Sequence, residues 1–361
     1  MGLTIADHTD LLRTTLQELP DGEFEVAYDS QRFEFANIYT TNPKRIDGGT
    51  SIKRNIMLDE RGNARYRQMF DLDTPTVKPL HKEIDVPWAL VGTDYSWDVF
   101  ELKTQMSSTK AYIDLVRSRR VEAKWGLSEL LEDRGWLTPQ NQADRTNPYG
   151  IPYYLNFRDS GSTGAGFDGQ TIRFGDGSTS NICAGIDASA EKKWRNYAAT
   201  YTAIDAAFLT TLRTAFVFTK FTAPALLKDR PASTDRGPMA KFYCGLSEYV
   251  ELQALMDSRD DNNIPNEVFG HILAHIDGVF SINGYPVVGI PQLEGVEFDP
   301  FYFVDWSKLQ PVVHAGYWME ESDPAPSSNQ HTVISVYVDA AHNNLCLNRR
   351  AAGFVVHKQV A

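Results

Sequence analysis

The sequence has few cysteines and no long apolar run. Its 361 residues include three cysteines (Cys183, Cys244 and Cys346), which are far apart and form no CxxC pair. An odd, scattered set of this kind is typical of buried thiols in a reducing compartment rather than of a disulfide framework. The N-terminus has no apolar stretch of signal-peptide length, and no window reaches the ~18 uncharged residues of a membrane span. The sequence therefore predicts a soluble protein made in the cytosol, with no membrane partner.

Basic residues are in the minority. The chain has 35 basic and 47 acidic residues, for a formal net charge of -12. This balance argues against tight binding of nucleic acid through a basic surface, and it favours solubility of the free chain. The composition, 42% hydrophobic and 23% charged, is that of a globular protein. The length predicts two or more subdomains.

The common catalytic motifs are also missing. The best metal-like spacing is His271 and His275, which a helix would place on one face with Asp277 nearby. In the HExxH motif of zinc proteases the second residue is the glutamate general base, but here Ile272 takes that position. No second cluster supplies a third ligand. This favours structural histidines, with a metal-dependent hydrolase using His271 and His275 as the alternative.

Motifs for a catalytic nucleophile or for phosphate binding are missing as well. The chain contains neither GxSxG nor GxxxxGK[ST]. Cys244 precedes Gly245 and a predicted helix, a position that can lower a thiol's pKa, although a structural cysteine is the favoured interpretation. We therefore predict no enzyme, no catalytic residue, no cofactor and no metal ligand.

Residues 40–95 have the pattern of a long β ribbon. Ser51 to Leu58 and Ala64 to Asp71 flank a turn at residues 59–63. A two-stranded ribbon is not stable alone, so it either packs on its own domain or reaches another subunit. Both possibilities are open. The alternative without a role in subunit contacts is an ordinary hairpin whose charged face is exposed to solvent. If the ribbon reaches a neighbour, the candidate inter-subunit contacts are its basic residues Lys53, Arg54, Arg61, Arg65 and Arg67.

Helical periodicity is clearest over residues 105–134, between possible N-caps at Ser107 to Thr109 and a glycine at Gly135. About thirty residues would span ~45 Å. Further helices are predicted over residues 202–218 and from Ser247 onward. A hairpin is predicted at Asn283-Gly284.

The C-terminal region predicts returning strands. A strand from Thr332 to Val338 is followed by a predicted turn at Asn343-Asn344, a short strand, the tripeptide Asn348-Arg349-Arg350 and a closing apolar strand. Arg349 and Arg350 are further candidates for salt-bridging or inter-subunit contacts, and phosphate contact is the alternative.

Three segments carry a family resemblance: SINGYPVVGIPQLE (281–294), FDPFYFVDWSKLQPVV (298–313) and the C-terminal strand run. Together with the order of arm, extended loop, long helix, two helices and returning strands, the chain resembles the major capsid proteins of tailed bacteriophages. These have the Hong Kong 97-type fold.

The resemblance implies an α+β fold with five parts: an N-terminal arm (1–35), an extended β-hairpin loop (36–95), a peripheral domain (96–194) with a spine helix (105–134), an axial domain (195–325) and C-terminal strands (326–361) that return to the peripheral domain.

The resemblance also implies a structural function. Such a major head protein self-assembles into hexamers and pentamers, which form an icosahedral procapsid and then a virion shell around phage double-stranded DNA. An encapsulin-like nanocompartment shell is the alternative. The implied partners are further copies of the chain, a separate scaffolding protein (since only about 35 residues precede the ribbon), a portal and decoration proteins. DNA would be enclosed non-specifically, and the shell would be assembled in the host cytoplasm.

Overall fold

The computed structural model describes residues 33–58, 65–70, 72, 81–100, 109–159, 164–221, 237–260, 273–276, 279–327 and 330–359. Most of the predicted arm, together with Arg61, His271 and Asp277, lies outside these residues. Among the described helices, none is both long and apolar enough to span a membrane.

The helices are numbered in chain order: α1 (Glu34–Thr41), α2 (Thr109–Gly135), α3 (Ile151–Tyr154), α4 (Ala206–Phe218), α5 (Leu246–Asp260) and α6 (Arg349–Ala352). The strands are β1 (Lys44–Ile46), β2 (Ser51–Met57), β3 (His81–Pro87), β4 (Ala89–Asp98), β5 (Ala165–Gly169), β6 (Ile172–Arg173), β7 (Thr179–Ser180), β8 (Ile182–Cys183), β9 (Ile186–Asp187), β10 (Asn196–Tyr201), β11 (Ala240–Cys244), β12 (Leu273–Ile276), β13 (Val279–Ile282), β14 (Tyr285–Gly289), β15 (Phe301–Asp305), β16 (Leu309–His314), β17 (Glu320–Glu321), β18 (Ala325–Pro326), β19 (Val333–Cys346) and β20 (Gly353–Lys358).

The chain divides into two compact units. The first unit comprises Met1–Gly48, Ala89–Arg134 and Val312–His342. The second comprises Gly49–Trp88, Gly135–Pro311 and Asn343–Ala361. Each unit is therefore assembled from three separate stretches of sequence.

The first unit packs the long helix α2 against a pair of strands. Strands β4 and β19 run antiparallel over ten residue pairs, from Val333 opposite Asp98 to His342 opposite Ala89. Their inward side chains form one core with α2, and its buried members are Tyr95, Trp97, Val99, Val116, Ala123, Leu127, Ile334, Val336 and Val338. The 27 residues of α2 correspond to ~40 Å of helix, and Gly126 does not interrupt it.

Polar contacts also tie α2 to its unit. Glu321 accepts from Arg120 at 2.8 Å and from Lys124 at 2.7 Å. Partial burial opposes ionisation of Glu321, but these two cations more than offset it and lower the pKa of the carboxyl. The Glu132 carboxylate accepts the backbone N–H of Phe35 at 2.6 Å, which fixes α1 to the C-terminal part of α2. No sequence pattern predicted α1.

The second unit is built on an eight-stranded sheet in the order β12-β13-β14-β11-β15-β20-β10-β5. Helices α4 and α5 contribute to the core on one face of this sheet, with Phe208, Leu212 and Phe216 from α4 and Leu252 from α5. The aromatic rings of β11, β15 and β20 meet Phe216 at this face, with ring centroids 4.9–5.4 Å apart. This aromatic cluster is the centre of the unit.

Local signals predicted several elements of the second unit. Asp205 caps α4 by accepting from the backbone N–H groups of Ala207 and Phe208. At the Asn283-Gly284 turn both residues have positive φ, 52° and 79°, as a type I′ hairpin requires. The strands on either side of it pair as predicted.

The predicted turn at Asn343-Asn344 is wrong. Both residues lie within the continuous strand β19 and are buried. The Asn343 side chain accepts the backbone N–H of Tyr149 and donates to the Pro87 carbonyl, while Asn344 donates to the Tyr149 carbonyl. Asparagine favours turns because its amide can bond to nearby backbone. Here the same amides bond to backbone that is distant in sequence.

Candidate assembly surfaces

The predicted β ribbon exists, but its second strand is not the predicted one. Strand β2 pairs antiparallel with β3, from Ser51 opposite Pro87 to Met57 opposite His81. Residues 65–70, part of the predicted return strand, form no strand. The glycine-containing turn at 59–63 suggested an early return, but lengthening a loop costs little. The inward residues Ile84 and Val86 of β3 are fully buried, and they define the actual register.

The base of the hairpin packs within its own unit. The backbone N–H of Asp85 donates to the Ala184 carbonyl at 3.1 Å, next to the β8-β9 turn. Lys82 lies 3.5 Å from Glu191, and Ile52 is buried. Of the two possibilities left open by the sequence, packing on its own unit therefore holds for the base of the hairpin.

The charged residues of the hairpin lie at its surface. Lys53 contacts Glu83 across the strands at 2.6 Å, and the hydrogen bond to this carboxylate raises the pKa of the lysine. Arg54 and Arg67 are exposed. Arg65 is exposed and donates to the Leu72 carbonyl at 2.7 Å.

Large apolar side chains are also exposed at the end of β2 and in the segment that follows it. Met69 and Phe70 are 84% and 97% exposed, and the other such residues in this segment are Met57, Tyr66 and Leu72. Single exposed apolar residues are ordinary, whereas contiguous exposed apolar patches mark interaction sites, so this segment is a candidate interaction surface. We call Met57, Tyr66, Met69, Phe70 and Leu72 the loop patch.

In contrast to these exposed residues, Arg349 is fully buried in the second unit. Asn348 caps the short helix α6, whose first residue is Arg349. The guanidinium donates to the Tyr154 carbonyl at 2.8 Å, the Trp194 carbonyl at 2.7 Å and the Asn196 Oδ1 at 3.0 Å, with a longer bond to the Gly169 carbonyl at 3.3 Å. It therefore joins four segments of its own chain and has no exposed surface for contact with another subunit.

The other residue of the pair is accessible. Arg350 is half-buried, with its guanidinium 4.3 Å from the centre of the Phe167 ring, and it donates to the Lys192 carbonyl at 3.0 Å. In this tripeptide Asn348 therefore caps a helix, Arg349 joins distant segments in the interior, and Arg350 is an accessible cation.

Of the two predicted histidines, His275 does not have the predicted helical setting. His275 belongs to strand β12 and is opposite Phe280 of β13. Within the described residues, no group of three or more His, Cys, Asp or Glu side chains is placed to hold a metal ion. The helical interpretation failed because the segment 273–276 completes the edge of a sheet.

The three cysteines are buried and unbonded. Burial raises the pKa of Cys244, and the nearby carboxylates of Glu248 and Glu294 raise it further. Burial also raises the pKa of Cys183, to about 11. A thiol held protonated is a poor nucleophile, so the geometry supports a packing role for these residues.

Comparison with known proteins identifies the fold. No protein-family model and no curated protein matches the chain. The structure of the cyanophage A-1(L) capsid asymmetric unit superposes with a TM-score of 0.57 at 15% identity, covering 97% of this chain and 99% of that one. The capsid of the empty GTA particle gives a TM-score of 0.53 at 10% identity, covering 93% and 100%. The capsid of the myovirus XM1 gives 0.50 at 10% identity, covering 95% and 97%.

These likenesses extend over nearly the whole of each chain, so they concern the complete arrangement of helices and strands rather than one motif. The predicted α+β class and capsid-type fold are confirmed, while the five-part division of the chain stays a prediction. The chain has the Hong Kong 97-type fold of tailed-bacteriophage capsid proteins.

Proposed function

We propose that this chain is the major capsid protein of a tailed bacteriophage. Its copies assemble into hexamers and pentamers, which form an icosahedral shell around double-stranded DNA. The observation that carries the proposal is the full-length likeness to the cyanophage capsid subunit, 97% of this chain and 99% of that one.

The loop patch supports self-assembly. A free chain would expose Met69, Phe70 and their apolar neighbours to water, at a cost of ~25 cal/mol for each Å² of apolar surface. Contact with a second copy removes that cost. The exposed basic residues Lys53, Arg54, Arg65 and Arg67 belong to the same hairpin and loop, and we propose that they contact the acidic neighbour, whose net charge is -12.

The charge also fits the content of the shell. A strongly acidic protein repels phosphates, so DNA would be enclosed without being tightly bound. We further propose that assembly takes place in the host cytoplasm with a separate scaffolding protein, a portal and decoration proteins, and that the chain is not an enzyme.

The first test is assembly of the purified full-length protein, measured by size-exclusion chromatography with light scattering and by negative-stain electron microscopy. We expect megadalton shells, or rings of five and six subunits. Only a stable monomer or small dimer, with scaffold-containing lysate added, would contradict the proposal. Shells purified from a phage-infected host should contain DNA, whereas shells that contain a protein cargo would indicate a nanocompartment.

A second test removes the loop patch. In the variant Met69→Ser/Phe70→Ser we expect the monomer to unfold at the wild-type temperature, because both side chains are exposed, while shell formation is lost. A matched control is Tyr337→Ser, which removes an exposed aromatic residue from the first unit. Normal shells from the Met69/Phe70 variant would show that the loop patch is not a contact.

A further inference from the structure

The outward face of helix α4 is unusual for a helix in contact with water. Surface helices normally carry charged and polar residues on the outer face. The outward residues of α4 recur with helical spacing: Ala206, Thr210, Arg213, Thr214 and Val217. Arg213 is the one charged residue in the helix sequence AAFLTTLRTAFVF. The face therefore consists of small or medium-sized uncharged residues around a single cation, Arg213.

The threonines of this helix have their hydroxyls satisfied internally. Thr210 donates to the Ala206 carbonyl at 3.0 Å, Thr211 to the Ala207 carbonyl at 3.1 Å, and Thr214 to the Thr210 carbonyl at 2.9 Å. Covering them would therefore leave no hydroxyl proton unpaired. At the C-terminal end, Val217 is 73% exposed, and Phe218 and Lys220 are exposed beside it.

Helix α5 has an apolar outer face that carries the opposite charge. Leu246, Val250 and Ala254 are exposed at a spacing of four residues, while Leu252 points into the core. Glu251 is exposed beside this row, and it is the acidic counterpart of Arg213. Rows of residues at this spacing form the ridges through which helices pack on each other.

We propose that the outer face of α4 in one copy docks on the outer face of α5 in the next copy, with Arg213 opposite Glu251. This rests on the proposed capsid function, and it identifies one contact between neighbouring copies within a ring. Among the described residues, neither Arg213 nor Glu251 forms an ion pair within its own chain. The negative charge of Glu251 helps to raise the pKa of Lys358, but the ion pair of Lys358 is with Asp299.

The two faces belong to different helices of one unit, so copies can join head-to-tail, with α4 of each copy on α5 of the next. An interface of this type closes into a ring when its rotation divides a full turn evenly. A two-fold dimer, in which α4 of each copy covers α5 of the other, would pair the same faces. The ring therefore follows from the proposed capsid function, and crosslinking distinguishes it from the dimer.

A charge exchange tests the pairing in the full-length protein. The single variants Arg213→Glu and Glu251→Arg should each raise the concentration needed for assembly at least roughly tenfold, since each places like charges opposite one another. The double variant Arg213→Glu/Glu251→Arg should restore assembly. A matched control, Arg213→Glu/Glu297→Arg, has the same net charge but reverses an exposed glutamate outside α5, and it should not restore assembly.

The outcomes separate the two proposals. Wild-type shells together with unaffected single variants would overturn the α4-α5 contact and leave the capsid function standing. A double variant no better than its control would do the same. A wild-type chain that never assembles would overturn both.

Crosslinking decides the matter even if a charge variant folds poorly. With Val217→Cys/Val250→Cys and a short bismaleimide, we expect a ladder of oligomers that stops at the ring size, because the native cysteines are buried. The control Ile182→Cys/Val250→Cys, with an exposed position outside both faces, should give no ladder. A product limited to dimers, or a crosslink within one chain, would refute the head-to-tail contact.

Discussion

The buried guanidinium of Arg349 offers the sharpest test of what holds the second unit together. In Arg349→Met the side chain keeps much of its length and apolar volume but loses every donor. Three well-formed bonds of 2.7–3.0 Å, to Tyr154, Trp194 and Asn196, disappear, and their buried acceptors are left without this partner. Bonds from a charged donor contribute about 1.5–3 kcal/mol each, partly offset because burial of the charge is avoided. We expect a net loss of about 3–5 kcal/mol.

The assay is urea unfolding of the unassembled chain, followed by tryptophan fluorescence. Trp194 is a local reporter, since the Arg349 guanidinium lies 6.0 Å from its ring. A loss of this size is a large part of the 5–15 kcal/mol that stabilises a typical domain, and it corresponds to a drop of roughly 10 °C in Tm. The neighbouring variant Arg350→Met, which loses one carbonyl bond and one ring contact, should cost about 1 kcal/mol. Equal unfolding midpoints for the two variants would refute the assignment of Arg349 as the residue that joins distant segments.

Two further predictions concern acid sensitivity and backbone packing. Burial lowers the pKa of His342 from 6.5 to about 4, so the unfolded chain binds its proton first, and the first unit should lose stability as pH falls from about 6.5 to 4. The loss should be smaller in His342→Phe, whose ring can still contact Tyr39, but unchanged in the exposed control His331→Gln; parallel pH profiles for all three proteins would contradict this. A Cβ at Gly353 would lie 1.9 Å from the Phe303 carbonyl oxygen, so Gly353→Ala should cost about 3 kcal/mol or more in thermal unfolding, against little for Gly316→Ala, where the nearest atom is 3.9 Å away. A Gly353→Ala protein as stable as the Gly316→Ala control would mean that β20 and β15 can separate without cost.

The sequence predicted those elements whose signals are local. Helices α2, α4 and α5 follow from spacing and caps, and the turn at Asn283-Gly284 follows from the two residues that tolerate positive φ. The predicted partner of β2 was wrong because the choice between two possible return strands depends on which of them can pack against the rest of the unit. The surface that β3 packs against, at Ala184, is distant in sequence.

The role of Arg349 could not be predicted for the same reason. Its partners Tyr154, Gly169 and Trp194 lie 155–195 residues away, and all of them use backbone carbonyls, which every residue type has. An Arg-Arg pair in a sequence suggests a surface. One signal pointed inward, namely that the arginine pair directly precedes a run of small and apolar residues, Ala351 to Val356, which ends α6 and begins β20.

The position of β20 has a consequence for synthesis of the chain. In its sheet this strand lies between β15 and β10, yet it follows both of them in the sequence, and all the other strands of the sheet as well. While a ribosome is still adding residues 343–352, two strands in the middle of the sheet lack a neighbour and the second unit cannot close. Chains released before β20 is made would therefore lack a completed sheet in the second unit. Only chains translated to the C-terminal strand could then fold fully and enter the shell.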